Sequence, residues 1–284
     1  MTASWLSDKS EVSPTTARQS TCWTEVKPEM SVLNSFRLEG QVALVSGVGR
    51  GLGQAMALAL AEAGADIAGL YQSNYKDTQQ QVERLGRRFL PMPCDLGQAT
   101  VAQLSEVVDQ VLQRAGHLDI LVNAAGIIRR APLVEFSEQD WDDVLQINLK
   151  ALFFLSQAAA KAMVKQGRGK IVHVASLLSF QGGILVPSYT AAKSAVAGLT
   201  RAMANEWAPQ GINVNAIVPG YMATDITAAL RSDPQRATAI LTRIPAGRWG
   251  KPTELQGAVV FLASAASDYV HGALLPVDGG WLAR

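Results

Sequence analysis

The chain has 284 residues, of which 48% are hydrophobic and 17% are charged, and this balance excludes a disordered or fibrous chain. Its 25 basic and 24 acidic residues give a net charge of +1, so the composition indicates no nucleic-acid partner. No apolar run reaches the roughly 18 residues typical of a membrane-spanning helix, and we therefore expect no membrane partner.

The first 29 residues differ from the rest of the chain. They are rich in Ser, Thr and charged residues and show no apolar period. They also lack the features of a signal or transit peptide. We expect residues 1–29 to be a disordered extension or the product of a start site assigned too early, and residues 30–284 to form one domain. A regulatory or partner-binding arm is the alternative for residues 1–29.

From Gln41 onward, short segments rich in Val and Ile alternate with longer helical patterns. The candidate strands are Val42–Ser46, Asp66–Leu70, Phe89–Met92, Ile120–Asn123, Ile171–Ala175, Asn213–Val218 and Leu274–Val277. The candidate helices include Gly51–Ala63, Thr100–Ala115, Asp140–Gln157, Ser188–Trp207 and Thr253–Ala263. Such apolar strands indicate a parallel sheet covered on both faces. Right-handed crossovers then predict a single, doubly wound Rossmann-type α/β domain of about seven strands.

A glycine-rich loop follows the first predicted strand. It runs Ser46-Gly47-Val48-Gly49-Arg50-Gly51-Leu52-Gly53 and leads into an alanine-rich helix. Glycines permit positive φ and remove the Cβ atoms that would keep a pyrophosphate from the backbone N–H groups. The position between a strand and a helix favours cofactor binding over a merely tight turn.

Four polar residues are candidates for catalysis. Tyr189 and Lys193 are four residues apart on one helical face, where the ammonium should lower the pKa of the phenol. Ser176 follows a predicted strand, at the edge of the sheet where active groups of such folds lie. Asn148 is an amide inside an apolar helical stretch. Without the other candidates, Tyr189 and Lys193 could be an ordinary surface pair and Asn148 a structural residue of the core.

With Asn123-Ala124-Ala125-Gly126 and Pro219-Gly220 followed by Thr224, these residues resemble the short-chain dehydrogenase/reductase family from Phe36 to Arg284. The resemblance implies that Tyr189 is the general acid/base, that Ser176 donates to the carbonyl oxygen and that Asn148 holds a water. It implies that Lys193 binds the nicotinamide ribose and lowers the pKa of Tyr189. The cofactor contacts implied are Gly47, Arg50, Gly51, Leu52, Gly53, Tyr71, Asp95, Leu96, Asn123, Ala124, Gly126, Tyr189, Lys193, Pro219, Gly220, Met222 and Thr224. Ser46 and Ala124 depart from the Thr and Asn usual in the family, and neither change removes a catalytic group.

Other segments, such as Ser179–Gly183 and Arg243–Gly250, resemble the 2-dehydro-3-deoxy-D-gluconate 5-dehydrogenase subfamily. This implies a cytoplasmic homotetramer that acts on 2-dehydro-3-deoxy-D-gluconate or a related gluconate. A carboxylate needs a cation, so Arg129 and Arg130 are candidate substrate ligands. The rest of the predicted pocket consists of Ser176, Gln181, Tyr189 and Met222.

One residue departs from the subfamily pattern, since Leu185 stands where an Arg is expected. A broad-specificity carbonyl or ketose reductase is therefore the alternative enzyme. A non-catalytic nucleotide-binding protein is the alternative from a different class.

The cofactor is expected to be NAD(P)(H), with a slight preference for NADP(H). An acid about 20 residues past the glycine loop would bind a ribose 2′-hydroxyl and repel a 2′-phosphate. Leu70-Tyr71-Gln72-Ser73-Asn74 contains no acid, whereas Arg50 supplies a basic group in the loop. The two cysteines, Cys22 and Cys94, are too few for a disulfide framework or a structural zinc site, so we expect no metal and a reducing cytoplasm.

Overall fold

A computed structural model describes residues 31–284, and the expectations for residues 1–29 lie outside the described residues. Ser31–Arg284 forms one compact unit. It begins with a 3₁₀ turn, Val32–Phe36, which precedes the first strand.

Seven parallel strands form a single sheet, which confirms the predicted doubly wound α/β fold. The strands are β1 (Val42–Ser46), β2 (Asp66–Tyr71), β3 (Phe89–Pro93), β4 (Ile120–Asn123), β5 (Gly169–Val174), β6 (Ile212–Pro219) and β7 (Leu274–Val277). Their spatial order is β3-β2-β1-β4-β5-β6-β7. The order reverses between β1 and β4, and ligands of such folds bind in the crevice at the carboxyl ends of the strands beside that point.

Helices cover both faces of the sheet. They are α1 (Gly51–Glu62), α2 (Lys76–Arg84), α3 (Val101–Ala115), α4 (Glu138–Leu145), α5 (Leu152–Gln166), α6 (Pro187–Trp207), α7 (Ala228–Ser232), α8 (Pro234–Leu241) and α9 (Gln256–Ala263). Leu44 of β1 belongs to the core beneath α3 and α5, whereas its neighbour Val45 belongs to the core beneath α1 and α9. Because successive side chains of a strand point to opposite faces, β1 is buried along its whole length and is apolar at every position except Ser46.

Two predicted helices have different boundaries in the structure. The stretch predicted as one helix over Asp140–Gln157 is divided by a π-helical segment, Gln146–Ala151, which separates α4 from α5. The predicted helix Thr253–Ala263 begins with a 3₁₀ turn, Pro252–Leu255, and becomes α-helical only from Gln256.

Three helices were not among the candidates. The nine-residue α2 buries only Thr78 and Val82, α7 buries no residue, and α8 buries only Ile240. Helices with so few apolar positions give a weak periodic signal. Within residues 31–284, no helix combines the length and the hydropathy that crossing a membrane would require.

Candidate active site

The glycine loop between β1 and α1 is shaped by contacts that no larger residue could make. A Cβ atom at Gly53 would overlap the carbonyl oxygen of Gly47, and one at Gly49 would overlap that of Asn74. Gly47 and Gly51 have φ values of 74° and 60°, in the left-handed region. No side chain caps the N-terminus of α1, so the N–H groups of its first turn and the helix dipole are available to bind an anion. This arrangement fits a pyrophosphate.

Ser46 joins the end of β1 to the turn after β4. Its hydroxyl accepts hydrogen bonds from the backbone N–H groups of Ala124 and Ala125, at 3.0 and 3.1 Å. These bonds explain why a serine suffices where the family usually has a threonine, since only the hydroxyl is used. They also hold the segment Asn123–Gly126 against the glycine loop.

A buried polar chain runs behind this turn. Asn123 donates to the hydroxyl of Ser156 at 2.9 Å, and Ser156 lies 3.2 Å from Nε2 of His173. Nδ1 of His173 in turn lies 3.0 Å from the hydroxyl of Thr200. Burial lowers the pKa of His173 to about 3, so the imidazole is neutral. The chain links β4, α5, β5 and α6, and it ties the cofactor side of the crevice to the helix that carries the catalytic candidates.

The three candidates Ser176, Tyr189 and Lys193 do converge at the carboxyl end of β5. Ser176 lies just after β5, and Tyr189 and Lys193 lie in the first two turns of α6. The hydroxyl of Ser176 accepts from the N–H of Leu178 at 3.2 Å, and its proximity to the phenol of Tyr189 acts to lower the pKa of that group. The Lys193 ammonium donates to the carbonyl oxygen of Val174 at 2.6 Å and lies 5.6 Å from the centre of the Tyr189 ring.

Burial acts on the pKa of Tyr189 against the lowering predicted from Lys193, whose catalytic role stays a prediction. Burial raises the pKa of Tyr189, and the groups that oppose the rise are Ser176 and the guanidinium of Arg130. Burial also lowers the pKa of Lys193, to about 8. The phenol is therefore protonated at neutral pH, and the cation that acts on it in this structure is Arg130.

Asn148 lies within the π-helical segment and is fully buried. Its side-chain oxygen accepts from the N–H of Ile127 at 2.9 Å, and its amide donates to the Ile127 carbonyl, also at 2.9 Å. Both ends of the amide are thus engaged in fixing the loop after Gly126. The role of Asn148 in holding a water stays a prediction.

The remaining cofactor candidates line the same edge of the sheet. Asp95 accepts from the N–H of Gly97 at 2.9 Å, and Tyr71 stacks on Tyr75 with ring centres 4.1 Å apart. Leu96 is buried and its carbonyl accepts from the Gln146 amide. On the opposite side, the residues after β6 are Pro219, Gly220, Met222 and Thr224, and a Cβ at Gly51 would touch the methyl group of Thr224.

Two residues expected to be free for ligands are engaged elsewhere in the structure. Arg50 forms an ion pair with Asp225 at 2.9 Å, although both side chains are mostly exposed. Met222 is only 4% exposed and packs in the core beneath α9, so it offers little surface to a substrate.

The two neighbouring arginines after β4 have different surroundings. Arg129 forms ion pairs with Asp140 and Asp143 of α4, each at 3.1 Å. Arg130 instead donates to the carbonyl oxygen of Ile226 at 3.2 Å and forms no ion pair with residues 31–284. This geometry favours Arg130 over Arg129 as a substrate ligand.

Sequence analysis did not identify an aromatic and basic cluster that follows β6. Tyr221 packs against Trp249 and Trp281, with ring centres 5.5 and 4.8 Å apart. Arg243 stacks on Trp281 at 4.1 Å and donates to Gln181 at 3.1 Å. These residues come from four separate segments, and no local sequence pattern indicates that they meet. In the described part of the chain, no group of His, Cys, Asp and Glu side chains could hold a metal ion.

Comparison with known proteins places this geometry in a family. A family profile described as enoyl-(acyl carrier protein) reductase matches residues 47–282. The chain is 58% identical over 254 residues to 2-dehydro-3-deoxy-D-gluconate 5-dehydrogenase of Escherichia coli (strain K12), covering 89% of this chain and 100% of that relative. The enzyme of the same description from Bacillus subtilis is 53% identical over 252 residues, covering 88% of this chain and 98% of the relative.

A solved structure shows the same relationship in three dimensions. It is a gluconate 5-dehydrogenase from Burkholderia cenocepacia in complex with NADP and tartrate. The two chains are 40% identical with a TM-score of 0.84, and the match covers 89% of this chain and 100% of the other.

Proposed function

The chain belongs to the short-chain dehydrogenase/reductase family, and from this premise we propose that it interconverts a ketone and a secondary alcohol on a sugar acid. The substrate class that fits best is 2-dehydro-3-deoxy-D-gluconate or a related gluconate. The relatives named above are dehydrogenases of sugar acids, and the site supplies a separate argument for the same substrate class.

One observation carries the substrate class. Arg130 has no ion pair with residues 31–284, yet its charge acts on the phenol of Tyr189. An unpaired guanidinium beside the reacting centre suits a substrate that brings its own carboxylate. The gluconate 5-dehydrogenase relative was crystallised with tartrate, a hydroxy acid, which supports the same class.

The reaction follows from the placement of the three catalytic candidates. In the direction of reduction, Tyr189 donates its proton to the ketone oxygen while Ser176 stabilises the charge that develops there. The nicotinamide, when bound, supplies the hydride that completes the alcohol, and it accepts a hydride in the reverse direction. Because burial holds Tyr189 protonated at neutral pH, the phenol is ready to act as an acid. For oxidation it must first ionise, and the Ser176 hydroxyl and the charge of Arg130 both favour that form.

NADP(H) is the cofactor that the glycine loop favours. Arg50 is exposed at the loop, and the end of β2 presents stacked Tyr71 and Tyr75 rather than an acid. A 2′-phosphate therefore meets a cation and no carboxylate at the tip of β2. The related gluconate 5-dehydrogenase structure contains NADP.

We also propose that the enzyme is a cytoplasmic homotetramer, as its resemblance to the subfamily implies. Large apolar side chains are exposed on the described surface, among them Leu133, Val134 and Ile184. Sedimentation of the purified protein would measure the number of subunits.

A substrate screen tests the proposed function. The purified protein is incubated with NADPH or NADH and a panel of keto-sugar acids and neutral ketones, and with the oxidised cofactors and the corresponding alcohols. We expect turnover of a keto-deoxy sugar acid, followed as the absorbance change of the cofactor. Turnover confined to neutral ketones would favour the ketose-reductase alternative, and none with any compound would contradict the proposal.

A further inference from the structure

A bridge of side chains crosses the substrate end of the crevice. Arg243, two residues beyond α8, donates from Nη2 to Oε1 of Gln181 at 3.1 Å. Its guanidinium also lies over the ring of Trp281, 4.1 Å from the ring centre. Trp281 packs in turn on Tyr221, with ring centres 4.8 Å apart. These three contacts join the loop after β5, which carries Gln181, to the loop after β6, which carries Tyr221.

The Gln181 end of the bridge lies beside the catalytic candidates. Two residues before Gln181, the hydroxyl of Ser179 donates to the carbonyl oxygen of Lys193 at 2.6 Å. Two residues after it, Gly183 packs so closely against α6 that an added Cβ would lie 3.1 Å from Oγ1 of Thr190, which directly follows the candidate catalytic tyrosine. The segment that carries Gln181 is therefore fixed along the first two turns of α6, where the reacting groups lie.

The other end of the bridge is held by the last turn of the chain. Trp281 is only 4% exposed, and the carboxylate of Asp278 accepts from the backbone N–H groups of the residues on either side of it, both at 2.9 Å. Arg284 donates to the carbonyl oxygen of Thr242 at 3.1 Å, directly before Arg243. The ring on which Arg243 stacks and the segment that carries Arg243 are therefore both fixed.

The bond between Arg243 and Gln181 decides how the amide of Gln181 is used. A guanidinium carries only donors, so it can pair only with the amide oxygen. The NH₂ group of Gln181 then remains a donor, and within residues 31–284 it donates to no other group. Because Gln181 is half-buried between the two loops, this donor suits an oxygen of a bound sugar acid.

We propose, on the basis of the function given above, that Arg243 is a positioning residue for the substrate. It holds Oε1 of Gln181, and the NH₂ group of the same amide donates to an oxygen of the sugar acid bound next to Tyr189. The ring of Trp281 keeps the guanidinium in place for this bond. Arg243 therefore acts on the substrate through Gln181, and the substrate contact itself belongs to Gln181.

A double-mutant cycle tests whether Arg243 acts through Gln181. The variants are Gln181→Ala, Arg243→Met and the two combined, each assayed with 2-dehydro-3-deoxy-D-gluconate. Arg243→Met removes the N–H groups but keeps an apolar chain against Trp281. We expect each single change to raise the KM by about 3- to 10-fold, the range for one lost hydrogen bond. The value of kcat should change by less than about threefold, because the reacting groups are intact.

The combined variant decides between two roles of Arg243. Its KM should lie within about twofold of the larger single effect, because both changes remove the same substrate contact. If Arg243 instead binds the substrate directly, the two rises multiply to about 10- to 100-fold, and this result would overturn the proposal. Arg243→Lys keeps a donor for Oε1 of Gln181 but loses the planar group that stacks on Trp281, so it should recover part of the lost affinity.

Arg284→Met is the matched control. It removes the bond to Thr242, next to Arg243, without touching Gln181. Its KM should therefore match that of wild type. A rise equal to that of Arg243→Met would assign the effect to a loosened segment and would also overturn the proposal.

Binding measurements separate this inference from the proposed function. The same cycle is repeated in a Tyr189→Phe background, which prevents turnover, by calorimetric titration of the acid into the complex with NADP⁺. If the losses of affinity do not multiply but wild type turns the acid over with neither cofactor, the positioning role stands and the proposed reaction fails. If wild type turns the acid over and the losses multiply, the reaction stands and the positioning role fails. Failure of the acid to bind at all would contradict both.

Discussion

The two sides of the crevice differ in the groups that form them, which are main-chain atoms on the cofactor side and large side chains on the substrate side. On the cofactor side, the loop from Gly47 to Gly53 is shaped by backbone packed against backbone, with glycines where any Cβ would overlap a carbonyl oxygen. On the substrate side, the walls after β6 consist of large side chains, with Tyr221 set among tryptophans and arginines. The first side suits a part of the ligand that is the same in every turnover, and the second suits the part that differs between enzymes.

This difference explains why the cofactor side could be predicted from the sequence and the substrate side could not. A backbone contact permits only glycine, so the requirement appears as a fixed local spacing. The contacts of Tyr221 with Trp281 and of Arg243 with Gln181 join segments about 60 residues apart. Many combinations of side chains could form such a wall, and no short pattern identifies the one that is present.

Removing the hydroxyl of Tyr189 should have the largest effect on turnover of all the substitutions. Tyr189→Phe deletes the proton donor and should lower kcat by about 10²- to 10⁴-fold, in line with general acid–base catalysis. The dissociation constant for NADPH, measured by fluorescence titration, should change little because the glycine loop is untouched. Tyr269→Phe is the matched control, since Tyr269 is 99% exposed. Turnover of Tyr189→Phe within tenfold of wild type would exclude the phenol as the acid.

The fold could be predicted from the sequence, and so could the proximity of the three catalytic candidates. All seven strands were predicted, because the strands are short and mainly apolar, as in the first four residues of Val42–Ser46. The short helices α7 and α8 were missed, since together they bury only Ile240. Nor could the sequence distinguish Arg129 from its neighbour Arg130, since only the folded chain places Asp140 and Asp143 beside the first.

The pKa of Tyr189 illustrates a second limit of sequence reasoning. The spacing of Tyr189 and Lys193 correctly places both on one face of α6, and it suggested that the lysine lowers the pKa of the phenol. Burial acts on both groups and cannot be read from the spacing, so the pKa of Tyr189 is raised and that of Lys193 is lowered to about 8.

A methyl group added to the glycine loop should have the next largest effect, on stability and on cofactor binding. In Gly53→Ala the new Cβ would overlap the carbonyl oxygen of Gly47, and the loop must shift to accommodate it. We expect a loss of about 1–3 kcal/mol in the free energy of unfolding, as for other overpacked sites. The dissociation constant for NADPH should rise by about tenfold or more, because a shift of about 1 Å is needed to relieve the overlap and misplaces the phosphate-binding N–H groups.

Gly257→Ala is the control for that variant. Gly257 lies in α9, where an added Cβ would meet nothing within 4 Å. Alanine should therefore leave cofactor binding unchanged and stabilise the helix by about 0.5–1 kcal/mol. If Gly53→Ala binds NADPH as tightly as Gly257→Ala does, the close backbone contact is not what shapes the cradle.

The smallest effect is expected where the two sides meet, at the ion pair between Arg50 of the glycine loop and Asp225 of the segment after β6. An exposed pair of this kind contributes about 1 kcal/mol or less to stability, so a 2′-phosphate can draw Arg50 away from Asp225 at little cost.

Arg50→Gln should lower the ratio of kcat/KM for NADPH to that for NADH by about tenfold, the equivalent of 1.36 kcal/mol. Asp225→Asn removes the competing carboxylate, and it should raise the same ratio by about two- to threefold. The opposite signs matter more than the sizes, since loss of loop structure would lower kcat/KM with both cofactors in both variants. A wild-type preference for NADH above about 100-fold would contradict the role given to Arg50.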